Sequence, residues 1–432
     1  MKSVYIIISC LCLLITDPVF AQVPEPYGWY RLQSPINESL RKLYFTDLNN
    51  GWAASLSGSI IHTTNSGKTW QIQTTNVTTP IVDIFFLGPQ KGWALTYPSE
   101  PPFGTSILKT DNGGLSWIKD SVFFENEIFS TVFFSNDSIG YVGGQGIKKT
   151  TDGGLTWFNA FIEPGGVSTL PVNKFIFYSD IFGYACGGRV DVAGVIWKTT
   201  DGGNNWSSQG LSPDQIYDIY IIDSLNAISL SGDPELLYPL AILRTSDAGI
   251  NWSFTDLPFF GISYALDFIN SNEGWAAAGY KFLFSSDGGS NWSEEFLFDS
   301  TIVYDLQFVD KFTGFACGEN GVLLKFVSPE RDLPDKPIID IGQNFPNPFS
   351  EKTTFIISAI STKIDLPVKA KIKLYDILGN EVLSIPEQEF YSGFYDFIFN
   401  VSDYDSQLSS GVYILALMYD NTVISKKIIY MK

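Results

Sequence analysis

Short apolar runs, each closed by a cluster of turn residues, fill the first three quarters of the chain. Leu43-Tyr44-Phe45, Ile84-Phe85-Phe86, Val132-Phe133-Phe134 and Leu306-Gln307-Phe308 are examples, too short for helices and bounded like strands. A Gly-aromatic-small triplet follows each run: Gly51-Trp52-Ala53, Gly92-Trp93-Ala94, Gly140-Tyr141-Val142, Gly183-Tyr184-Ala185, Gly274-Trp275-Ala276 and Gly314-Phe315-Ala316, with a degenerate member at Asn226-Ala227-Ile228. Next comes a polar box, Thr/Ser-x-Asp/Asn-x-Gly-x-x-Trp, in six copies 40–49 residues apart. Its Asp/Asn and Trp positions are Asn65 and Trp70, Asn112 and Trp117, Asp152 and Trp157, Asp201 and Trp206, Asp247 and Trp252, and Asp287 and Trp292. A period of this length with four short strands per unit predicts a β-propeller.

The box residues divide their labour. A short Asp or Asn side chain is expected to accept backbone N–H groups two residues on and close a turn. Its Gly supplies a positive φ. Burying a Trp is worth roughly 4–6 kcal/mol as an upper bound, against about 1 kcal/mol for a net hydrogen bond. The Trp is therefore expected to be the staple, and the Asp turn to aim it.

Seven markers against six boxes leave the last unit without a fourth strand. The segment 28–33, beginning Gly28-Trp29-Tyr30, reads as an orphan strand able to supply it and close a seven-membered ring. Residues 28–327 resemble the Asp-box (BNR) propellers, most closely the photosystem II stability and assembly factor type, through the repeated Asp-Gly-Gly-x-Thr-Trp beside Gly-Trp-Ala. That likeness speaks for the fold and says little about activity.

The ends read differently. Residues 1–21 have the form of a secretory signal: Lys2, an apolar run from Val4 to Ile15, and Val19-Phe20-Ala21 before the cleavage point. No later stretch has the ~18 consecutive apolar residues of a membrane span. The propeller is placed at 22–327, and a Pro- and charge-rich linker at 328–341. From 342 to 432 the pattern changes to strict alternation, as in Ala370-Lys371-Ile372-Lys373-Leu374, which predicts a small antiparallel β-sandwich of immunoglobulin-like type. This tail resembles the type A sorting domain of type IX (Por) secretion in Bacteroidota. The matching pieces are Gln343-Asn344-Phe345-Pro346-Asn347-Pro348-Phe349, Tyr375-Asp376-Ile377-Leu378-Gly379-Asn380-Glu381-Val382, Ser410-Gly411-Val412-Tyr413 and the basic end. The resemblance implies Sec export, recognition by the type IX machinery, and release or attachment at the cell surface. The fold class is thus all-β: a seven-bladed propeller followed by a small sandwich.

Charge and inventory narrow the function. With 46 acidic and 27 basic residues the formal charge is −19, the opposite of a nucleic-acid footprint. His62 is the only histidine, at a position held by Lys109, Lys149, Lys198 and Arg244 in other units, and reads as a solvated repeat position. Ser-His-Asp, Cys-His and His-metal centres are excluded on inventory, and nothing calls for a cofactor or a metal. Cys186 and Cys317 occupy the same register in units three apart, too distant for a disulfide, and read as buried small residues.

The function expected is an exported, non-catalytic binding or scaffold propeller. The alternative is an extracellular glycoside hydrolase or glycan-binding protein, because Asp-box propellers include sialidases and xyloglucan-cleaving enzymes. A sialidase's arginine triad is not met here. Enlarged loops between the second and third strands, joined by a link, mark a candidate binding face for a protein or glycan: Tyr97, Glu100 and Phe103; Asp191; Asp233, Glu235 and Tyr238; Phe259 and Phe260.

Overall fold

The computed structural model describes residues 27–296, 301–328, 338–360, 367–391, 393–404, 408–420 and 422–432. The signal segment 1–21 and residues 329–337 of the linker lie outside them. Among the described residues the chain forms seven propeller sheets and a two-sheet tail. Blade 1 is Leu40–Phe45, Gly51–Ser55, Ile60–Thr63 and Gln71–Gln73, paired antiparallel in sequence order, and the following blades repeat that order. In the last blade Gly28–Arg31 pairs with Leu323–Val327, with Trp29 opposite Phe326, so the first and last segments share one sheet. Trp29 is buried against Phe282, Phe326 and Trp275. Blade 3 departs from the pattern. Its outer strand splits, Phe158–Asn159 staying with its own blade while Phe161–Ile162 runs parallel to Asn205–Trp206 of blade 4.

The marker glycine has a steric cause that the sequence pattern left unexplained. The Phe that ends each inner strand lies flat over it. A Cβ on Gly51 would stand 2.3 Å from the Phe45 ring, and one on Gly92, Gly140, Gly274 or Gly314 would be 2.4–2.5 Å from Phe86, Phe134, Phe268 or Phe308. Gly183 is crowded by Phe177 in the same way. Blade 5 has Ala227 at the marker, and Ile221 opposite it in place of Phe. The two exceptions occur together because the smaller side chain leaves room for the methyl group.

The marker aromatic reaches the other way, into the next blade. Trp52 stacks on Phe86 at 3.6 Å, Trp93 on Phe134 at 3.8 Å, Tyr141 on Phe177 at 4.9 Å, and Phe315 on Phe45 at 3.8 Å, which spans the ring closure. The box Trp of that blade then meets the same Phe edge-on, as Trp70 does Phe45 and Trp117 does Phe86. Four of the seven blade junctions are thus layered sandwiches of aromatic, Phe and Gly, with the box Trp closing the edge. Aromatic pairs of this kind contribute about 0.5–1.5 kcal/mol beyond the area they bury.

The boxes are built differently from expectation in one respect. The Thr or Ser hydroxyl, not the carboxylate, takes the near N–H groups: Asp152 N and Gly154 N donate to Thr150 Oγ1 at 3.3 and 2.9 Å. The Asp reaches four residues on, its Oδ1 accepting Thr156 N at 2.9 Å and its Oδ2 the Thr156 hydroxyl. The partner at that fourth position matches the box residue. Box carboxylates meet donors (Thr156, Asn205, Asn251 and Asn291), whereas box amides donate to Thr69 and Ser116 hydroxyls. These contacts hold Asp152 and Asp247 down to about 2.

Not every box Trp is fully buried. Trp206 and Trp117 are, while Trp157 and Trp252 are half-exposed.

His62 is half-buried, not solvated. It stacks on Trp52 at 4.5 Å, and burial holds its pKa below the usual histidine range. Elsewhere this position is a cation capping the next blade's box: Lys149 donates to Gly202 O at 2.7 Å, Lys325 to Ser66 O at 3.2 Å and Arg244 to Ser290 Oγ at 2.8 Å. Cys186 and Cys317 are free and buried.

The tail has two sheets, Ile338–Ile341, Lys352–Ile360 and Gly393–Asn400 facing Glu381–Phe390, Val368–Asp376, Gly411–Tyr419 and Thr422–Tyr430. Ile339, Ile341, Phe349, Phe355, Ile372, Leu374, Phe399, Leu415 and Ile428 fill the space between them. Ile338–Ile341 was assigned to the linker on composition, and it is the tail's first strand, pairing with Ile357–Ile360. Four residues after a proline-rich run gave too short a pattern to separate strand from linker.

Blade 5 supplies a test of the Phe-over-Gly contact. Gly274→Ala should destabilise the propeller by about 1–3 kcal/mol through overpacking. Combined with Phe268→Ile it should cost less than the two changes added together, a favourable coupling of about 1 kcal/mol. Chemical denaturation of the four proteins measures it, and strict additivity would show that the ring does not set the glycine.

Candidate functional site

The inner strand of every blade carries the same irregularity. Its register slips against the second strand between Leu40 and Lys42, Ile81 and Asp83, Phe129 and Thr131, Val172 and Lys174, Ile216 and Asp218, Ser263 and Ala265, and Val303 and Asp305. A bulge inserts one unpaired residue and bends the strand.

A charged layer along the propeller axis lines a cavity of about 330 Å³ that includes Lys42, Asp83, Thr131, Lys174, Asp267 and Asp305. An inner strand is a sheet edge with unpaired N–H groups, and the acidic side chains answer them across the junctions. Asp83 Oδ2 accepts Val132 N at 2.7 Å, Asp218 Oδ2 accepts Leu266 N at 3.0 Å, Asp267 Oδ2 accepts Phe308 N at 2.7 Å, and Asp305 Oδ2 accepts Leu43 N at 2.9 Å. Gln307 does the same for Phe45 N at 2.7 Å.

Lys174 forms an ion pair with Asp218. Burial would lower its pKa, but Asp218 and Asp305 hold it above the ordinary lysine range. Burial raises Asp83 and Asp305 and pushes Asp267 up to about 7, against the pull of the neighbouring lysines and backbone N–H groups.

At the bulged residue itself the layer changes character. Arg41 lies 3.7 Å over the Tyr304 ring, and its Nε is buried with no hydrogen-bond partner among the described residues. Tyr304 and Tyr264 meet edge to face at 5.2 Å, as do Tyr264 and Tyr217 at 5.3 Å. Tyr304 donates its hydroxyl to Glu319 at 3.0 Å. Burial pushes Tyr217 and Tyr304 up to about 12, which keeps their phenols protonated.

Tyr264 is shared with a groove of about 510 Å³ between blades 5 and 6. Pro234, Leu236, Phe260, Ile262, Tyr280 and Lys281 line it with Ile302. Leu236, Phe260 and Tyr280 are each about half exposed, at 56%, 49% and 58%. No carboxylate lines this groove among the described residues.

The expected binding residues fall into three groups. Phe260 lines the groove, while Phe259 packs under it against the core and Tyr238 and Glu235 are exposed on the adjoining loop. Asp191 and Asp233 meet, together with Asp214 from the link between blades 4 and 5, which the sequence reading missed. Their oxygens lie within 4.8 Å of one another. Asp233 is spent on its own loop, accepting Glu235 N, Leu237 N and Tyr238 N at 2.7–3.0 Å. Burial opposes its ionisation, yet these three donors hold it below the usual carboxylate range. Asp214 Oδ1 accepts Asp191 N at 2.9 Å.

Tyr97 donates to Phe129 O of blade 3 at 2.9 Å and serves the blade junction. Glu100 and Phe103 are exposed on blade 2 and do not line the groove. Arg41, Tyr217, Tyr264 and Tyr304 went unnoticed because they belong to inner strands. Only the bulge, recurring at one register, turns that position toward the axis.

Comparison with known proteins supports the two halves separately. Residues 343–431 match the secretion system C-terminal sorting domain. Export by the type IX route to the cell surface or beyond follows from it, and no helix among the described residues is long and apolar enough to cross a membrane. The propeller is similar in fold to YCF48 from Cyanidioschyzon merolae, at 20% identity and TM-score 0.58, covering 70% of this chain and 100% of that one. A second likeness is to YCF48 bound to D1 peptide, at 18% identity and TM-score 0.56, covering 71% and 98%. An ancestral GH74 enzyme is similar at 11% identity and TM-score 0.52, covering 93% of this chain and 64% of that one. Comparison with curated proteins returns no match.

The axial carboxylates make stability respond to pH in an unusual direction. Asp267 is raised from 3.8 to about 7. Its contribution is therefore fully present below about pH 4 and is lost as pH rises through 7. The box carboxylates are held low and change only in more acidic solution, and His62, which burial holds below the usual histidine range and which opposes the trend as pH falls, is common to both proteins, so the difference between the parent and Asp267→Asn isolates the axial carboxylate. The thermal midpoint should rise by several degrees on going from pH 8 to pH 5, and by clearly less in Asp267→Asn. Parallel pH profiles for the two proteins would contradict the assignment.

Proposed function

We propose that this secreted propeller is a non-catalytic binding module, and that its loop face, around the groove between blades 5 and 6, holds the partner. The observation that carries the reading is the groove's composition. It combines half-exposed Leu236, Phe260 and Tyr280 with, among the described residues, a single charge, Lys281, and no acid or base pair. Apolar concavities with a few polar groups are the usual form of a binding site. A rigid ring carrying oversized loops on one face supplies the platform for it.

The glycoside hydrolase alternative needs a raised carboxylic acid paired with a second carboxylate about 5–5.5 or 6.5–9.5 Å away. On the loop face the carboxylates that meet are Asp191, Asp214 and Asp233, and Asp233 is held low by three backbone donors, unsuited to act as the acid. The raised carboxylates, Asp83, Asp267 and Asp305, lie inside the axis, each accepting a backbone N–H group of the following blade. The likeness to a GH74 enzyme concerns the fold. A peptide or apolar protein segment suits the groove better than a sugar, which would call for more hydrogen-bonding groups along the wall.

Capture of partners from native extracellular material tests the reading. Phe260→Ser with Tyr280→Ser should lose at least tenfold of the captured partner. Leu115→Ser with Leu155→Ser, on exposed box tips of the opposite face, should lose none. Loss confined to the box-tip pair would place the partner on the other face. Release of reducing ends from xyloglucan, abolished by Asp191→Asn, would favour the enzyme instead.

A further inference from the structure

The sorting tail displays large apolar side chains at one end. Phe345 is 83% exposed, Ile377 70% and Leu378 82%. Strand register places them relative to the chain's entry. Ile338, where the chain enters the sandwich, pairs with Ile360, whereas Phe345 bridges to Thr354 and Lys352 pairs with Asn400 near the strand's other end. In the facing sheet Asp376 pairs with Tyr413, and Tyr413 with Ile428.

The two sheets are tied together at that same end. Phe349 N donates to Ile429 O at 3.0 Å, Met431 N donates to Phe349 O at 2.9 Å, and Asn347 Oδ1 accepts Ile429 N at 2.9 Å. Phe345 and the hairpin tip Ile377-Leu378 therefore lie together at the end remote from the chain's entry.

The tip is held rigidly. Asp376 accepts Leu378 N at 2.9 Å, and Asn380 N and Nδ2 each at 2.8 Å. Gly379 takes a φ of +85° and donates its N–H to Asp376 O at 3.1 Å. A turn fixed by four hydrogen bonds presents two large apolar side chains to water, and neither belongs to the tail's own core. A patch of this kind on a small domain marks an interaction site.

We propose that this distal end, with Phe345, Ile377 and Leu378 as its anchors, is the surface by which the export machinery grips the protein, through an apolar cleft of that machinery. The proposal rests on the tail's role as a sorting domain and deepens it. Two observations favour that occupant over a second copy of the chain or a lipid surface. All three anchors fall within the segment 343–431 that matches the sorting domain. That end also faces away from where the cargo is attached, so a folded propeller does not have to be displaced before the tail can be engaged. Charge does not oppose the approach, because residues 343–432 carry eight basic and ten acidic residues in a chain that carries 27 and 46 overall.

The test is export of the full-length protein in a host with a type IX system. Ile377→Ser with Leu378→Ser, and separately Phe345→Ser, should lower the exported fraction at least tenfold and leave precursor in the periplasm. The purified variants should keep the thermal midpoint of the parent. Leu378→Asn alone, at the most exposed position of the turn, serves if the double variant folds poorly, and should lower export several-fold. Ile356→Ser with Ile398→Ser removes comparably exposed apolar groups (55% and 59%) from the outer face of the other sheet and should export normally.

Deletion of 338–432 separates the two claims. Export surviving that deletion would refute the sorting reading itself. Export blocked by the deletion but normal in the tip variants would overturn the distal-end proposal alone. A dimer in gel filtration that the tip variants convert to monomer, with export intact, would give the patch to a second copy. Lost binding to lipid vesicles with export intact would give it to a membrane.

Discussion

The contact on which this propeller depends is a Phe ring lying flat on a glycine near the end of the inner strand, in six of the seven blades. Two packing demands meet there. The glycine lets the ring lie flat against the second strand, and the ring's other face accepts the aromatic of the preceding blade. Where the ring is absent, as at Ile221, the glycine is absent too. The box Trp closes the edge of the sandwich, and the box turn receives the preceding blade's cap: Trp52 Nε1 donates to Gly113 O at 3.0 Å and Tyr141 Oη to Gly202 O at 2.7 Å. The Asp-box is therefore part of the joint between blades as much as a turn within one.

Closing the ring creates a second demand at its centre. Seven inner strands present seven sheet edges to a narrow axis, and their N–H groups need acceptors. The bulge common to all seven turns an additional side chain inward, and in four blades a carboxylate takes an N–H group of the following blade. Burial along this confined axis is why the axial carboxylates resist ionisation, while those of the boxes, held by hydrogen-bond donors in solvent, ionise readily. The chain's acidity thus has two physical meanings. On the surface it favours solubility, and along the axis it supplies acceptors.

The two faces of the ring differ as a consequence. The box face is occupied by repeated, self-satisfied turns whose polar groups are spent within the repeat. The opposite face carries the irregular loops, the tyrosines around Arg41 and the groove beside them. Variation is tolerated there because the blade joints do not use it. The tail is a separate core with its own staple, the Phe349 contacts that tie its two sheets, and its exposed apolar end lies away from the propeller's point of attachment.

The sequence by itself determined the number of blades, the boxes, the strand that completes the last sheet and the sorting tail, because each is written in residues that recur or cluster locally. A period near 45, a Trp after every Asp turn and an alternating tail need no partner to be recognised. Three things were decided only by tertiary structure. Which N–H the box Asp accepts depended on the Thr hydroxyl competing for the nearer ones. Which loop residues meet depended on ring position, so that Asp191 and Asp233 joined Asp214 while Tyr97 turned to its neighbouring blade. The axial layer was hidden for the same reason. Lys42, Asp83 and Asp305 look like ordinary strand charges until ring closure gathers them around one cavity and sets Asp305 beside Leu43, more than two hundred positions away in the chain.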